Sequence, residues 1–149
     1  MNVGDICNPQ VVVAYKEMSV AEAARLMREQ HVGCLVVVED TNEGKAVVGL
    51  LTDRDIVLSV VACDLQAQTM TVGDIMVTDL VTVRGDDALA DVLNGMRQGG
   101  VRRVPVVSER GILQGIIALD DVLAIMTNEL DDLVRAVSRE QKRETATRK

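Results

Sequence analysis

Aromatic residues are all but missing from this chain of 149 residues: Phe and Trp are absent, and Tyr15 stands alone. Proteins that hold single-stranded nucleic acid stack its bases on aromatic rings, and this chain has one ring to offer. Positive charge is also short. Sixteen Lys and Arg against 23 Asp and Glu leave a net charge of −7, the wrong sign for a phosphate backbone. No nucleic-acid partner is expected.

Cysteine and histidine are scarce and scattered. Cys7, Cys34 and Cys63 form no CxxC pair, and His31 has no ligand-like neighbour, so no metal site is expected. His31 reads instead as a surface or helix-end residue. An odd number of cysteines suits a reducing compartment, and Met1–Asp5 lacks the basic and apolar regions of a secretory signal. A cytoplasmic location is therefore expected. No apolar run approaches the ~20 residues of a bilayer span, so no membrane association is expected. What the chain does have is aliphatic bulk: 48% of its residues are hydrophobic, mostly Val, Leu, Ile, Ala and Met. At this length roughly 68–70% of the unfolded surface can be buried, enough for a core without staples.

That bulk is arranged as an internal repeat. Val3-Gly4-Asp5-Ile6 recurs as Val72-Gly73-Asp74-Ile75. The same offset of 69 carries Val20, Ala23, Ala24 and Met27 onto Leu89, Val92, Leu93 and Met96, and Val37-Val38 onto Val106-Val107. The offset then falls to 66, where Gly49-Leu50-Leu51 matches Gly115-Ile116-Ile117 and Asp55-Ile56 matches Asp121-Val122. Length changes of this kind fall at hairpin tips, here between Thr41–Lys45 and the shorter Ser108–Gly111.

Each repeat opens with a β-branched run, Val11–Val13 or Val81–Val83. Apolar residues at i, i+3, i+4 and i+7 follow, marking one helix face, with Ser19 and Asp86 or Asp87 as N-caps. Met27, Met96 and Met126 fit helix faces and read as core. Two apolar strands come next: Cys34–Val38 with Ala46–Leu51, and Val104–Val107 with Ile112–Ile117. A second helix begins near Asp55 or Asp121. The expected fold class is α/β (α+β), with β-α-β-β-α twice.

The runs Gly49-Leu50-Leu51-Thr52-Asp53-Arg54-Asp55-Ile56 and Gly115-Ile116-Ile117-Ala118-Leu119-Asp120-Asp121-Val122 resemble the CBS-domain family, named after cystathionine β-synthase. Gly100–Val107 and the lead-in Val72–Met76 support the resemblance, which covers about residues 1–126. It implies repeats over 1–64 and 72–126 joined by a linker at 65–71, with a helical stripe and polar tail over 127–149. It also implies packing about a pseudo-twofold axis, two clefts that hold adenosine-containing ligands, and pairing into homodimers.

Thr52-Asp53-Arg54-Asp55 stands at the strand-to-helix corner of the first repeat. The start of a helix offers unpaired N–H groups and partial positive charge to a phosphate. Thr52 adds a hydroxyl, Arg54 a forked cation, and Asp55 two acceptors suited to the adjacent hydroxyls of a ribose. The resemblance assigns the phosphate to Thr52 and the ribose to Asp55, with adenine between aliphatic side chains such as Val12 and Val36. Thr-x-x-Asp equally suits a capping box, and the two roles can coexist. In the second repeat Asp121 keeps the ribose position, but Ala118 replaces Thr52 and Asp120 replaces Arg54, which weakens that cleft for phosphates. Arg102 and Arg103 read either as solvated charge or as a reach to a phosphate, with Arg103 favoured. Gly33 and Gly100 read either as turns or as points of close backbone approach to a ligand.

No Gly-x-Ser-x-Gly, P-loop or His-Glu-x-x-His motif occurs, so no enzyme is expected. Bound AMP, ADP or ATP, the last with Mg²⁺, would make the chain a regulatory module acting on another, unknown protein. The alternatives are S-adenosylmethionine or NAD as ligand, or a ligand-free dimerisation scaffold. Beyond residue 126, Leu130, Leu133, Val134 and Val137 form a helical stripe, after which the polar Ser138–Lys149 is expected to fray.

Overall fold

The computed structural model describes residues 1–148. The chain divides into two compact units, Met1–Ile117 and Ala118–Lys149. The first contains α1 (Val3–Ile6), β1 (Val13–Ala14), α2 (Val20–Gln30), β2 (Cys34–Thr41), β3 (Gly44–Thr52) and α3 (Asp53–Ile56), which runs on into a π-helical turn over Val57–Val61. The second repeat follows with α4 (Val72–Ile75), β4 (Val83–Arg84), α5 (Leu89–Gly99), β5 (Arg103–Val107) and β6 (Leu113–Ala118). Two three-stranded sheets result, ordered β1-β2-β3 and β4-β5-β6. In each, the first strand lies parallel to the second. The expected order of elements is present twice.

The helix stripes are buried as their spacing requires: Val20, Ala23 and Met27 in α2, Val92 and Met96 in α5. Ser19 caps α2 by accepting from the Glu22 N–H at 3.1 Å. Neither Asp86 nor Asp87 caps α5. The N-cap is Ala88, whose N–H is taken by Asp91 at 2.9 Å, while the Asp87 carboxylate turns back to the Arg84 N–H. Asp91, on the helix side of the corner, satisfies the cap from within. Both helices end in the left-handed conformation, at His31 (φ 56°) and, 69 residues on, at Gly100 (φ 63°). Gly100 therefore serves helix termination.

The first hairpin is longer than its apolar core. β2 and β3 stay paired out to Thr41 and Gly44, because the polar cross-strand pair Asp40 and Lys45 is tied by an ion pair at 2.9 Å, and Tyr15 Oη lies 2.6 Å from Lys45 Nζ. Opposite charges facing across a ladder stabilise it.

The lead-in helices are exchanged between repeats. Val72 N–H donates to the Met18 carbonyl and Gly73 N–H to that of Lys16; 69 residues earlier, Val3 and Gly4 donate to Asp87 and Gly85. Leu50 and Val77 exchange backbone hydrogen bonds at 3.0 and 2.8 Å, and Asn8 and Ile116 do so at 2.9 Å each way. Val72 is thus fully buried in the core of the first repeat, with Leu35, Val37 and Leu51. Two glycines admit this crossing. A Cβ on Gly49 would lie 2.7 Å from Met76 Sδ, and one on Gly115 2.7 Å from Cys7 Sγ.

The second unit is one helix, α6 (Leu119–Thr147). It has no break at 126, and the polar end is helical rather than frayed. No Gly or Pro interrupts residues 119–147, and Asp131–Arg135 and Glu144–Arg148 pair across one turn at 2.9 and 2.7 Å, the spacing that supports an exposed helix. Met126, expected in a core, is exposed, unlike Met27 and Met96. Among the described residues no helix is long and apolar enough to cross a membrane.

Candidate functional site

The corner between β3 and α3 is built by a reciprocal cap. Thr52 ends β3 opposite Cys34 of β2. Its hydroxyl oxygen accepts from the Asp55 N–H at 3.1 Å, and Asp55 Oδ2 accepts from the Thr52 N–H at 2.9 Å. Asp53 N–H donates to the Gly33 carbonyl at 3.0 Å, and Arg54 N–H to the Asp53 side chain at 2.9 Å. The first three amides of α3 are therefore engaged within the protein, contrary to the expectation of open N–H groups for a phosphate. What the corner still presents is side-chain chemistry: the Thr52 hydroxyl hydrogen and Asp55 Oδ1, on two half-buried residues.

Arg103, in the second repeat, is near enough for its charge to act on this corner. It is the counterpart of Cys34 at the offset of 69. The buried Cys34 thiol is pushed up to about 11, chiefly by burial; the Arg103 charge pulls it down, and Asp55 and Asp53 push it up. One cation and two carboxylates thus act on the same thiol. Arg54 and Arg102 are exposed and form no ion pair among the described residues.

Gly33 does allow a close approach, but by a protein group: a Cβ there would sit 3.0 Å from Asp53 Oδ2. The aliphatic slot expected between Val12 and Val36 is closed. Val36 is fully buried, its N–H donating to the Val12 carbonyl at 3.2 Å, and the Val12 side chain packs on the first core. Asp121, in the second unit, is exposed and caps its own helix, accepting from Ala118 N–H at 3.3 Å. Ala118 has no hydroxyl to complete the reciprocal cap.

Sequence reasoning left Cys34 out of this corner, and placed Asp53 in it without showing that the Gly33 carbonyl holds its N–H. The offset of 69 between Cys34 and Arg103 was a usable signal for the first. The carbonyl of Gly33 on the Asp53 N–H gave none. Among the described residues no group of three or more His, Cys, Asp and Glu is placed to hold a metal.

The family model for the CBS domain matches residues 3–62 and 72–128. Among curated proteins, the CBS domain-containing protein YhcV of Bacillus subtilis is 37% identical over 130 residues, covering 86% of this chain and 88% of its own length. Some relatives are longer: the chain spans 62% of an uncharacterized Methanopyrus kandleri protein that is 30% identical to it. Among solved structures, Hypoxic Response Protein I, crystallised with two coordinated zinc ions, is 33% identical with a TM-score of 0.73, covering 83% of this chain and 98% of its own. The CBS domain pair of protein MJ0100, in complex with 5′-methylthioadenosine and S-adenosyl-L-methionine, is 25% identical with a TM-score of 0.73, covering 85% and 99%.

Proposed function

Since the chain belongs to the CBS-domain family, we propose that it is a non-catalytic regulatory module that binds an adenosine-containing ligand at the corner formed by Thr52, Asp55 and Arg103. The observation that carries this reading is the half-buried Asp55 carboxylate, fixed through Oδ2 with Oδ1 left to accept from a ribose, beside the Arg103 cation. A diol acceptor, a hydroxyl and a cation in one corner match a nucleotide's ribose and phosphate. The adenosine compounds in the MJ0100 structure support the class of ligand. The phosphate-seeking cation favours AMP, ADP or ATP, the last bringing Mg²⁺, over S-adenosylmethionine.

The module works in the cytoplasm as a homodimer and acts on another protein. Exposed Val57, Leu58 and Val61 beyond α3 support self-pairing, since symmetric association is the commonest cover for such surface. The second reading is a ligand-free dimerisation scaffold. It is favoured by the engaged α3 amides and the buried Val36.

Calorimetry with AMP separates the two. Asp55→Ala is expected to lose charge-assisted hydrogen bonds worth about 1.5–3 kcal/mol, a weakening of about tenfold or more. Asp121→Ala should cost less, because its corner has Ala118 and Asp120 in place of Thr52 and Arg54. Circular dichroism checks that both variants fold. A wild-type chain that gives no heat with any adenosine compound at millimolar concentration would leave the scaffold reading standing.

A further inference from the structure

The stripe on α6 has a use that the nucleotide corner does not absorb. Leu123, Met126, Leu130, Leu133 and Val137 are spaced alternately by three and four residues, the a/d pattern of a coiled-coil seam. Every one of them is 46–65% exposed, on a helix that stays regular to Thr147. The Asp131–Arg135 ion pair falls at b and f positions, away from the seam.

Charge selects the occupant. All charged residues between 119 and 134 are acidic, five in number, whereas 135–148 carries five cations against Glu140 and Glu144. In the register that aligns the apolar residues, a second copy laid antiparallel sets Asp120 and Asp121 of each helix beside Arg143 and Lys142 of the other, with only the central Asp131 and Asp132 meeting their like; a parallel copy sets every charge beside its like. Because the two halves lie on one helix, antiparallel pairing is self-complementary and closes as a dimer. The register that keeps every central layer apolar places Leu130 against Leu133 of the other copy and Met126 against Val137. Glu140, at the next d position, ends the seam.

We propose that α6 joins two copies of this chain through an antiparallel coiled coil spanning Met126–Val137. This rests on the homodimer reading above and adds a second contact to the surface at Val57, Leu58 and Val61. Sedimentation of the full chain is expected to give twice 16.1 kDa, and Leu133→Asp, which buries a charge in each central layer, to weaken association by about a hundredfold or more. A single-chain mass for the wild type would overturn both the dimer and the seam. A dimer that survives Leu133→Asp undiminished would overturn the seam alone. Orientation is tested independently in a Met126→Cys, Val137→Cys chain with Cys7 and Cys63 replaced by Ser. After oxidation, trypsin cleaves at Arg135 and separates the two positions. Bridges from 126 to 137 of the other chain are expected; 126–126 and 137–137 bridges, or none, would refute the antiparallel arrangement.

Discussion

Cys34 is the residue through which the charges of the candidate corner can be observed. Its thiol is buried opposite Thr52, and burial outweighs the Arg103 cation, raising its pKa from 9.0 to about 11. The sign of the consequence is fixed. A thiol whose folded pKa lies above its unfolded value stabilises the fold fully below pH 9.0, and the contribution is lost as pH rises through about 11. Across that window the folded state keeps a proton the unfolded state has released, so stability must fall with pH. Two units correspond to roughly 2–3 kcal/mol. Urea unfolding of wild type and Cys34→Ala at a series of pH values from 8 to 11 is expected to show a steeper loss in the wild type. Parallel pH profiles would mean that the thiol is not desolvated.

At the scale of elements, α4 is the telling case, because it belongs to one repeat in sequence and to the other in space. Val72 is fully buried among Ala14, Leu35 and Leu51, so Val72→Ala is expected to cost about 2 kcal/mol. Hydrogen exchange should accelerate most in α2 and β2, beyond the uniform gain that a shared unfolding transition gives β5. Faster exchange confined to β4–β6 would contradict the crossing. This crossing was not legible in the residues. An offset of 69 says that Val3 and Val72 are equivalent; it does not say whether each packs on its own repeat or on the other. The hairpins, the buried stripes of α2 and α5 and the Ser19 cap were legible, since each depends on local spacing. The Thr52–Asp55 cap was legible for the same reason. The closed slot at Val36 was not, because a β-branched run reads alike whether its second face is open or covered. Nor was the α5 cap: Asp86, Asp87 and Asp91 are chemically interchangeable on paper, and the backbone path chooses among them.

For the first unit as a whole, the exchanged elements make the two repeats mutually dependent. α1 is hydrogen-bonded to Gly85 and Asp87, α4 to Lys16 and Met18, and the ladder pairs Leu50–Val77 and Asn8–Ile116 tie each repeat's last strand to the lead-in of the other. Opening either repeat strips buried Val3 or Val72 of its cover, so neither can melt without exposing part of the other's core. Local openings in proteins follow such contiguous cooperative units. Residues 1–117 are therefore expected to unfold in one transition, and the scarcity of aromatic residues supplies the probe. Tyr15 is the only aromatic residue, and it lies in the first repeat between β1 and α2, so its fluorescence reports that repeat alone. Protection of the β5 amides from hydrogen exchange reports the second. In a urea titration the two midpoints should coincide, whereas well-separated midpoints would show that the repeats fold independently and that the exchange of α1 and α4 couples them only weakly.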